Sequence, residues 1–332
     1  METKLTEVTA DLRERVKVAT KLEEVREEIR LLLEAYDRAV RDIYRAEHEE
    51  FSRWAQERQS WVNDSRTIFA EIPNLLAGMR AVMDSLDATE TRFTQAPAEI
   101  QERLRNRKEG LSIICRMVER LPARKEGLEK CITEEFEAPE PLALDPQHYL
   151  SRFEKVEKLE DLPAQLEELL KEIGNAEETV RNQNYQRTRR LRLQTEGLKQ
   201  AVLGFLRDHL LPAIDGLERG IWNEEELRRP LEGYGTDHEL IDQWFGAYHD
   251  CDRLMEEFLP KVCLYRVQLT RGDVFDAQSH LALGHESCKE LSDGQVLTIL
   301  RSGWIFKDTL LRPAEVLVVR NDEEERDGKG TV

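Results

Sequence analysis

The stretch from Gly272 to Val319 has a different pattern from the rest of the 332-residue chain. Apolar runs of strand length alternate there with turn-forming pairs such as Asp293-Gly294. In the preceding residues, apolar side chains recur at alternating spacings of three and four, the period of a helix that buries one face. The chain is therefore predicted to be mainly α, with long coiled-coil or bundle helices followed by a small C-terminal all-β domain.

Two details of the C-terminal stretch predict its strands. The runs Val296–Leu300 and Trp304–Phe306 flank Ser302-Gly303, which predicts a hairpin whose glycine takes positive φ. Apolar and polar residues alternate from Cys263 to Leu269, the period of a half-buried strand.

The helical part is predicted to be broken at several residues. A stripe from Leu5 to about Trp61 is expected to end before Ile72-Pro73-Asn74, because proline lacks an amide donor and clashes with the preceding turn. Gly174-Asn175 predicts a helix stop and a new start. Pro212 is expected to bend the helix that contains it.

Three prolines between Phe136 and Pro146 exclude a continuous helix and predict a boundary. The predicted division is residues 1–135, an N-terminal helical or coiled-coil region; 136–146, a Pro-rich linker; 147–262, a long helix and helical-bundle dimerisation region; 263–320, a small β-domain; and 321–332, a disordered acidic tail.

Charge and composition exclude several classes of function. The formal net charge of -18 argues against a nucleic acid or an anionic membrane as partner. No apolar run approaches the roughly 18 residues of a membrane span. The five cysteines are scattered and form no Cys-x-x-Cys pair, so we expect free thiols in a reducing cytoplasm.

Candidate catalytic groups are weak. His280, His285 and Cys288 have irregular spacing for metal ligands, and no fourth ligand stands nearby. His249-Asp250-Cys251 are neighbours on a predicted helix, so their side chains diverge. No glycine-rich loop carries the lysine and hydroxyl that hold a nucleotide. We therefore expect no catalytic residue, metal or cofactor, and a protein that is not an enzyme.

The C-terminal stretch resembles the β-domain of the GrpE family, the nucleotide exchange factors of DnaK-type chaperones. The matching elements, in order, are Phe275-Asp276 with His280, Gly294-Gln295-Val296, Gly303-Trp304, and Leu310 to Val316. The departures from the family pattern are Ala277, Trp304, Lys307-Asp308-Thr309 and Cys263.

The helix before it carries a second resemblance. Leu210 to Arg219 looks like the family signature Leu-Leu-Pro-x-x-Asp-x-Leu-Glu-Arg, and Asn184 to Arg190 looks like the basic segment of its long helix. The resemblance covers about Ala176 to Arg320 and leaves a long N-terminal helical extension unmatched.

The resemblance implies a non-enzymatic exchange factor that promotes ADP release from a DnaK-type chaperone, and a homodimer built on the long helix. It implies chaperone contacts at Phe275, Asp276, His280, Gly303, Trp304, Ile305, Leu311, Arg312, Pro313 and Ala314. It implies long-helix or dimer contacts at Arg187, Arg189, Arg190, Leu203, Leu206, Leu210, Ile214 and Leu217.

Three alternatives remain open at this point. The leucine stripe fits a second copy or a returning helix of the same chain. Trp304 and Arg312 fit either a contact surface or the core, and His280 fits either a partner contact or a structural turn. The departures also favour a second function, a helical scaffold or adaptor that keeps the GrpE-like fold without exchange activity.

Overall fold

A computed structural model describes residues 22–90, 98–133, 136–140, 151, 158, 161–232 and 238–321. The predicted start of the first helix, residues 141–146 of the linker and the acidic tail after Asn321 lie outside these residues. So does most of the helix expected from Gln147. None of the described helices is long and apolar enough to cross a membrane.

Helices dominate the described chain up to Val262. They are α1 (Leu22–Glu90), α2 (Ala98–Glu119), α3 (Lys125–Ile132), α4 (Leu162–Phe205), α5 (Leu211–Trp222), α6 (Glu224–Glu232) and α7 (His238–Phe258). Short 3-10 turns occupy Pro122–Arg124 and Leu259–Val262. With the strands that follow, this arrangement confirms the predicted fold class.

Two predicted helix breaks are wrong. Helix α1 continues through Pro73, and α4 continues through Gly174. A proline inside a helix costs about 3 kcal/mol. Ile72 and Leu75 beside Pro73 are buried, and the burial of such side chains offsets a cost of that size.

Pro212 is accommodated by a change in helical hydrogen bonding. Leu206–Leu210 form a π turn, in which the amide of Leu211 donates to the carbonyl of Leu206, five residues earlier. The wider turn gives the proline ring room where an α-helical carbonyl would clash.

The chain forms two compact units that do not follow its linear order. Unit 1 contains the described residues within 1–60 and 133–197, and unit 2 contains those within 61–132 and 198–332. Contacts thus join segments that are far apart in the sequence, whereas the division predicted above uses consecutive segments. That consecutive division stays a prediction.

Unit 1 pairs the first part of α1 with α4. Tyr36 donates a hydrogen bond to Glu177, the buried Asn184 side chain donates to Glu47 at 3.2 Å, and Arg192 stacks over Trp54 at 5.3 Å. Residue numbers rise together in these three pairs, so the two helices run parallel.

Unit 2 contains a four-helix bundle made by one chain. Its helices are the last part of α1, α2, α5 and α7, and their apolar side chains share one core cluster. The indole of Trp244 on α7 donates to Thr89 of α1 at 3.0 Å, and Arg107 of α2 donates to the Gly220 carbonyl of α5 at 3.1 Å. The bundle expected by resemblance is present, but all four helices come from the same chain.

Gly220 of α5 marks the closest approach in the bundle. A Cβ added there would lie 2.1 Å from Cε1 of Tyr248, whose hydroxyl is held by the Arg107 carbonyl at 2.9 Å. We expect Gly220→Ala to lower the free energy of unfolding by about 1–3 kcal/mol through overpacking.

The matched control is Gly246→Ala on α7, where an added Cβ meets nothing within 4 Å. Alanine's higher helix propensity should leave this variant as stable as the parent or up to about 1 kcal/mol more stable. Urea unfolding compares the two, and equal stabilities would contradict the close contact.

Six strands form two small sheets in residues 264–319, here called the β-domain. They are β1 (Leu264–Arg266), β2 (His280–Glu286), β3 (Val296–Arg301), β4 (Trp304–Phe306), β5 (Thr309–Arg312) and β6 (Ala314–Val319). One sheet has the antiparallel order β1-β4-β5; the other has the order β2-β6-β3, with β2 parallel and β3 antiparallel to β6.

The predicted hairpin across Ser302-Gly303 is wrong, because β3 and β4 belong to different sheets. The hairpin joins β4 to β5 instead, with Lys307 at φ 52°. Gly303 is required for closeness, since an added Cβ would lie 2.5 Å from the amide nitrogen of Ala314.

Candidate functional site

Asp215 on α5 anchors the β-domain to the helical bundle. Its carboxylate accepts hydrogen bonds from Arg301 at 2.6 and 2.9 Å and from Arg312 at 2.6 and 2.8 Å. Arg312 also donates to the carbonyl of Ser302 at 2.8 Å. The Arg312 side chain is only 11% exposed, so this predicted contact residue is largely used inside the chain.

The anchor fixes the charge of Asp215. Burial alone would raise the pKa of this carboxyl, but hydrogen bonds from Arg312 and then Arg301 outweigh burial and lower the pKa below its usual 3.8. One helical turn later, burial dominates and raises the pKa of Glu218, although Ser302 and Arg266 partly offset it. The two arginines therefore stabilise Asp215 in its ionised form.

The lowered pKa of Asp215 predicts the pH dependence of stability. A carboxyl whose pKa is lower in the folded state stabilises the fold above its unfolded pKa and loses that contribution as pH falls through the folded pKa. We expect Asp215 to contribute fully near neutral pH and to lose its contribution below about 3.8. Urea unfolding from pH 7 to pH 2.5 measures this, with Asp215→Asn as the variant that should lose this part of the slope.

Helix α1 holds the other side of the β-domain. The ring of Trp61 packs 5.7 Å from that of Phe306, and Lys307 forms an ion pair with Asp64. The ammonium of Lys307 also lies 5.6 Å from the Trp61 ring centroid. Sequence reasoning missed these contacts, because Trp61 and Asp64 lie in the extension that matched no family motif.

The β4–β6 residues implied as chaperone contacts are mostly enclosed. Trp304 is 0% exposed, and its neighbours Gly303 and Ala314 are buried, whereas Ile305, Leu311 and Pro313 are half-buried. Of the two alternatives for Trp304, contact surface or core, the structure shows the core, because its ring belongs to the cluster shared with the helices.

Phe275, Asp276 and His280 lie in one turn, whose hydrogen bonds join Asp276 to His280. The amide of Asp276 donates to Nδ1 of His280 at 2.9 Å, and the amide of His280 donates to the carbonyl of Asp276 at 2.8 Å. The Asp276 carboxylate accepts from the Ser279 hydroxyl at 2.7 Å. These bonds give His280 a structural role in shaping the turn before β2.

The implied long-helix residues divide into two groups. Arg187 binds the carboxylates of Glu137 and Glu140 at 3.3 and 3.0 Å, whereas Arg189 and Arg190 are exposed. The apolar stripe is buried in the core of unit 2 by helices of the same chain: Leu203, Leu206, Leu210, Ile214 and Leu217. Of the two alternatives, the structure therefore shows the stripe covered within one chain.

The β-domain exposes apolar side chains that sequence reasoning did not select. Leu281 and Leu283 on β2 are 46% and 54% exposed, while Ala282 between them packs on the sheet core. The large-small-large alternation of Leu281, Ala282 and Leu283 is the signal that could have identified this outer face. Leu281 and Leu283 therefore form an exposed apolar pair on one face of the strand.

The weak catalytic candidates are dispersed in the structure. Imidazole Nε2 of His249 lies 2.7 Å from Glu224, Asp250 pairs with Arg253, and Cys251 is buried, which raises the pKa of its thiol to about 12. Within the described ranges, no three His, Cys, Asp or Glu side chains are placed to hold a metal ion.

Known proteins share the C-terminal part of this chain. The GrpE family model matches residues 149–320, more than half of the chain. Protein GrpE of Rickettsia canadensis is 27% identical over 174 residues, covering 51% of this chain and 87% of that protein. Protein GrpE of Shewanella frigidimarina is 26% identical, with coverage of 49% and 76%, and that of Acholeplasma laidlawii is 27% identical, with coverage of 52% and 83%.

The matched region begins before α4 and ends directly after β6, so it includes the anchor at Asp215 and the complete β-domain. The described helices of the extension, α1 to α3, lie outside it. The sequence match, the long helix and the small β-domain agree, and the protein belongs to the GrpE family of co-chaperones.

Proposed function

We propose that this protein is a nucleotide exchange factor that promotes ADP release from a DnaK-type chaperone through its β-domain. The observation that carries the proposal is the family match, which spans the whole β-domain together with the helix that anchors it. The protein performs no bond chemistry in this scheme.

The mechanism requires a rigidly held β-domain. A partner accelerates ADP release when it binds the open form of the chaperone more tightly than the closed form. A flexible contact surface would have to be ordered on binding, and that cost would reduce the free energy available to shift the equilibrium. The pairing of Asp215 with Arg301 and Arg312, and the packing of Trp61 on Phe306, supply that rigidity.

The proposed contact surface is the exposed face of the β-domain around Leu281 and Leu283. Arg312 on β5 connects the β-domain to the helical bundle through Asp215 and so fixes the orientation of this face. The half-buried Ile305 and Leu311 remain candidate contacts at its β4–β5 side. Burial of exposed leucines against a partner gives the apolar centre that stable interfaces need.

The scaffold function remains the second candidate. The enclosure of Trp304 and the internal pairing of Arg312 favour it, because two residues implied as contacts are already used within the fold. A scaffold would bind partners through its helices and leave the nucleotide affinity of a chaperone unchanged.

Release of a fluorescent ADP analogue separates the two functions. The DnaK-type chaperone of the same organism is loaded with the analogue, and dissociation is followed with and without the full-length protein. Strong acceleration supports the exchange factor. No acceleration by a folded protein that binds the chaperone would overturn it in favour of the scaffold.

Family membership also implies a homodimer, which stays a prediction for this chain. In the mode expected here, a second copy would cover the stripe from Leu203 to Leu217. That stripe is buried within one chain, and this burial favours a different arrangement.

A further inference from the structure

Two helical hairpins in unit 2 contact each other reciprocally. A Cβ added at Gly78 of α1 would lie 2.8 Å from Cδ1 of Leu254 on α7. A Cβ added at Gly216 of α5 would lie 2.9 Å from Cγ1 of Ile114 on α2. In each case a glycine on the first helix of one hairpin receives an aliphatic side chain from the second helix of the other. Reciprocal contact of this kind is the mark of two-fold pairing between copies.

The first helices of the two hairpins share one pattern of buried residues. Gly78 and Gly216 are 138 residues apart. The same shift of 138 residues takes the following apolar positions on α1 to apolar positions near Gly216. It relates Ile68, Ile72, Leu75, Leu76 and Met79 to Leu206, Leu210, Ala213, Ile214 and Leu217, and all ten are buried.

The second helices repeat the same relation. The interval of 140 residues between Ile114 and Leu254 also relates four pairs of residues in which both members are buried. It relates Leu104, Leu111, Cys115 and Val118 of α2 to Trp244, Cys251, Met255 and Phe258 of α7. Two helices with the same buried pattern and the same reciprocal contacts are equivalent parts of one repeated unit.

We infer that the N-terminal hairpin, residues 61–119, is a degenerate copy of the hairpin in residues 198–258, and that the two form an internal pseudo-dimer. The N-terminal copy occupies the place that a second chain would otherwise take. It covers the stripe from Leu203 to Leu217, so the functional unit is a monomer.

The N-terminal copy of the hairpin also contacts the β-domain that follows the second copy. The strands of unit 2 follow the second hairpin, and Trp61 and Asp64 at the start of the first hairpin hold the β4–β5 turn of that β-domain. The described residues contain one β-domain, so the pseudo-dimer would engage one chaperone per chain. This stoichiometry rests on the proposed exchange function, whereas the pseudo-dimer itself does not.

Cysteine cross-linking tests the pairing within the chain. The pairs Gly78→Cys with Leu254→Cys and Gly216→Cys with Ile114→Cys place thiols across the two equivalent contacts. A disulfide needs Cβ atoms about 3.5–4.5 Å apart, which such close packing allows. The control pairs Ile114→Cys with Gly246→Cys, whose added Cβ meets nothing within 4 Å.

On oxidation of the full-length variants, both contact pairs are expected to form a disulfide at the mass of one chain, located by peptide mapping, and the control pair none. Sedimentation of the unmodified protein is expected to give one 38.7-kDa chain over the micromolar range. A band of two chains linked through these cysteines, a sedimentation mass of twice that value, or the absence of both cross-links would each overturn the pseudo-dimer. None of these readouts depends on exchange activity. Failure of the pseudo-dimer proposal can therefore be distinguished from failure of the proposed exchange function.

Discussion

Replacing Asp215 with alanine is expected to lower the free energy of unfolding by about 3–5 kcal/mol, the usual cost of removing one partner from a buried ion pair. Two guanidinium groups share this carboxylate, and the Asp215 and Arg312 side chains are only 7% and 11% exposed. Alanine would leave Arg312 with the Ser302 carbonyl but without a compensating negative charge. Arg301 would keep Glu315 at 3.3 Å.

Urea unfolding at pH 7 measures the loss, and the matched control is Glu225→Ala on α6. Glu225 pairs with Arg229 at 2.8 Å, but both side chains are more than 70% exposed. An exposed pair contributes about 0–1 kcal/mol, so the control should stay close to the parent. A loss below about 1 kcal/mol for Asp215→Ala would show that the anchor is not what holds the β-domain.

The same variant should also affect function before it unfolds the protein. Without the Asp215 anchor, the β-domain would move relative to α5. Binding to a chaperone would then have to order the domain, and the cost of ordering would reduce the binding free energy. We therefore expect weaker stimulation of ADP release at temperatures where the bundle of Asp215→Ala is still folded, as followed by circular dichroism.

The class of fold follows from the sequence because it depends on the period of the apolar residues. The stripe from Leu203 to Leu217 is buried as its spacing predicts, and the change of pattern after Gly272 coincides with the small sheets. These features are local, since side chains three or four positions apart lie on one helical face whatever they pack against.

The wrong predictions concern residues whose local conformational preference competes with contacts to residues far away in the sequence. Pro73 should end a helix by its own chemistry, but neighbouring Ile72 and Leu75 are buried in a long packed helix. Cys263 is a second example. It stands where the family pattern has glycine and adopts φ 54°, a left-handed conformation that favours glycine. Local rules give the free-energy cost of placing a residue in an unfavourable conformation. Whether that conformation occurs depends on the tertiary contacts that offset the cost.

The site was harder to predict than the fold for a similar reason. Arg301 and Arg312 meet Asp215 across 86 and 97 residues of sequence, and no spacing rule connects them. Trp304 and Leu281 both stand in short apolar strands, and only the sheet order shows that the first faces the bundle and the second is exposed. The equivalence of the two hairpins became visible through the contacts at Gly78 and Gly216.

Placing aspartates at both Leu281 and Leu283 is expected to weaken the stimulation of ADP release by about 10- to 100-fold at low protein concentration. Residues at the centre of an interface contribute about 2 kcal/mol or more, and each 1.4 kcal/mol corresponds to tenfold in affinity. The change also buries new carboxylates in the complex, which adds a desolvation cost. In the free protein both leucines are about half exposed, so the fold should be retained.

The measurement is the rate of ADP release as a function of exchange-factor concentration. A lost contact should shift the half-maximal concentration upward while a saturating concentration still approaches the parent rate. The matched control carries Leu31→Asp and Ile113→Asp, two apolar side chains that are 51% and 47% exposed on helices α1 and α2, outside the region that the family model matches. Because those positions lie outside the β-domain, the control should keep the parent's concentration dependence.

The comparison separates three explanations for a loss of exchange. Equal losses in both variants would indicate a general effect of added negative charge, which is already -18 in the parent. A lower melting temperature for the β2 variant alone would indicate a damaged sheet. A concentration shift confined to the β2 variant, with unchanged melting, would place the chaperone on the outer face of β2. An unchanged exchange rate would remove this face from the contact surface. It would leave the half-buried apolar residues among the implied contacts, which are Phe275, Ile305, Leu311 and Pro313.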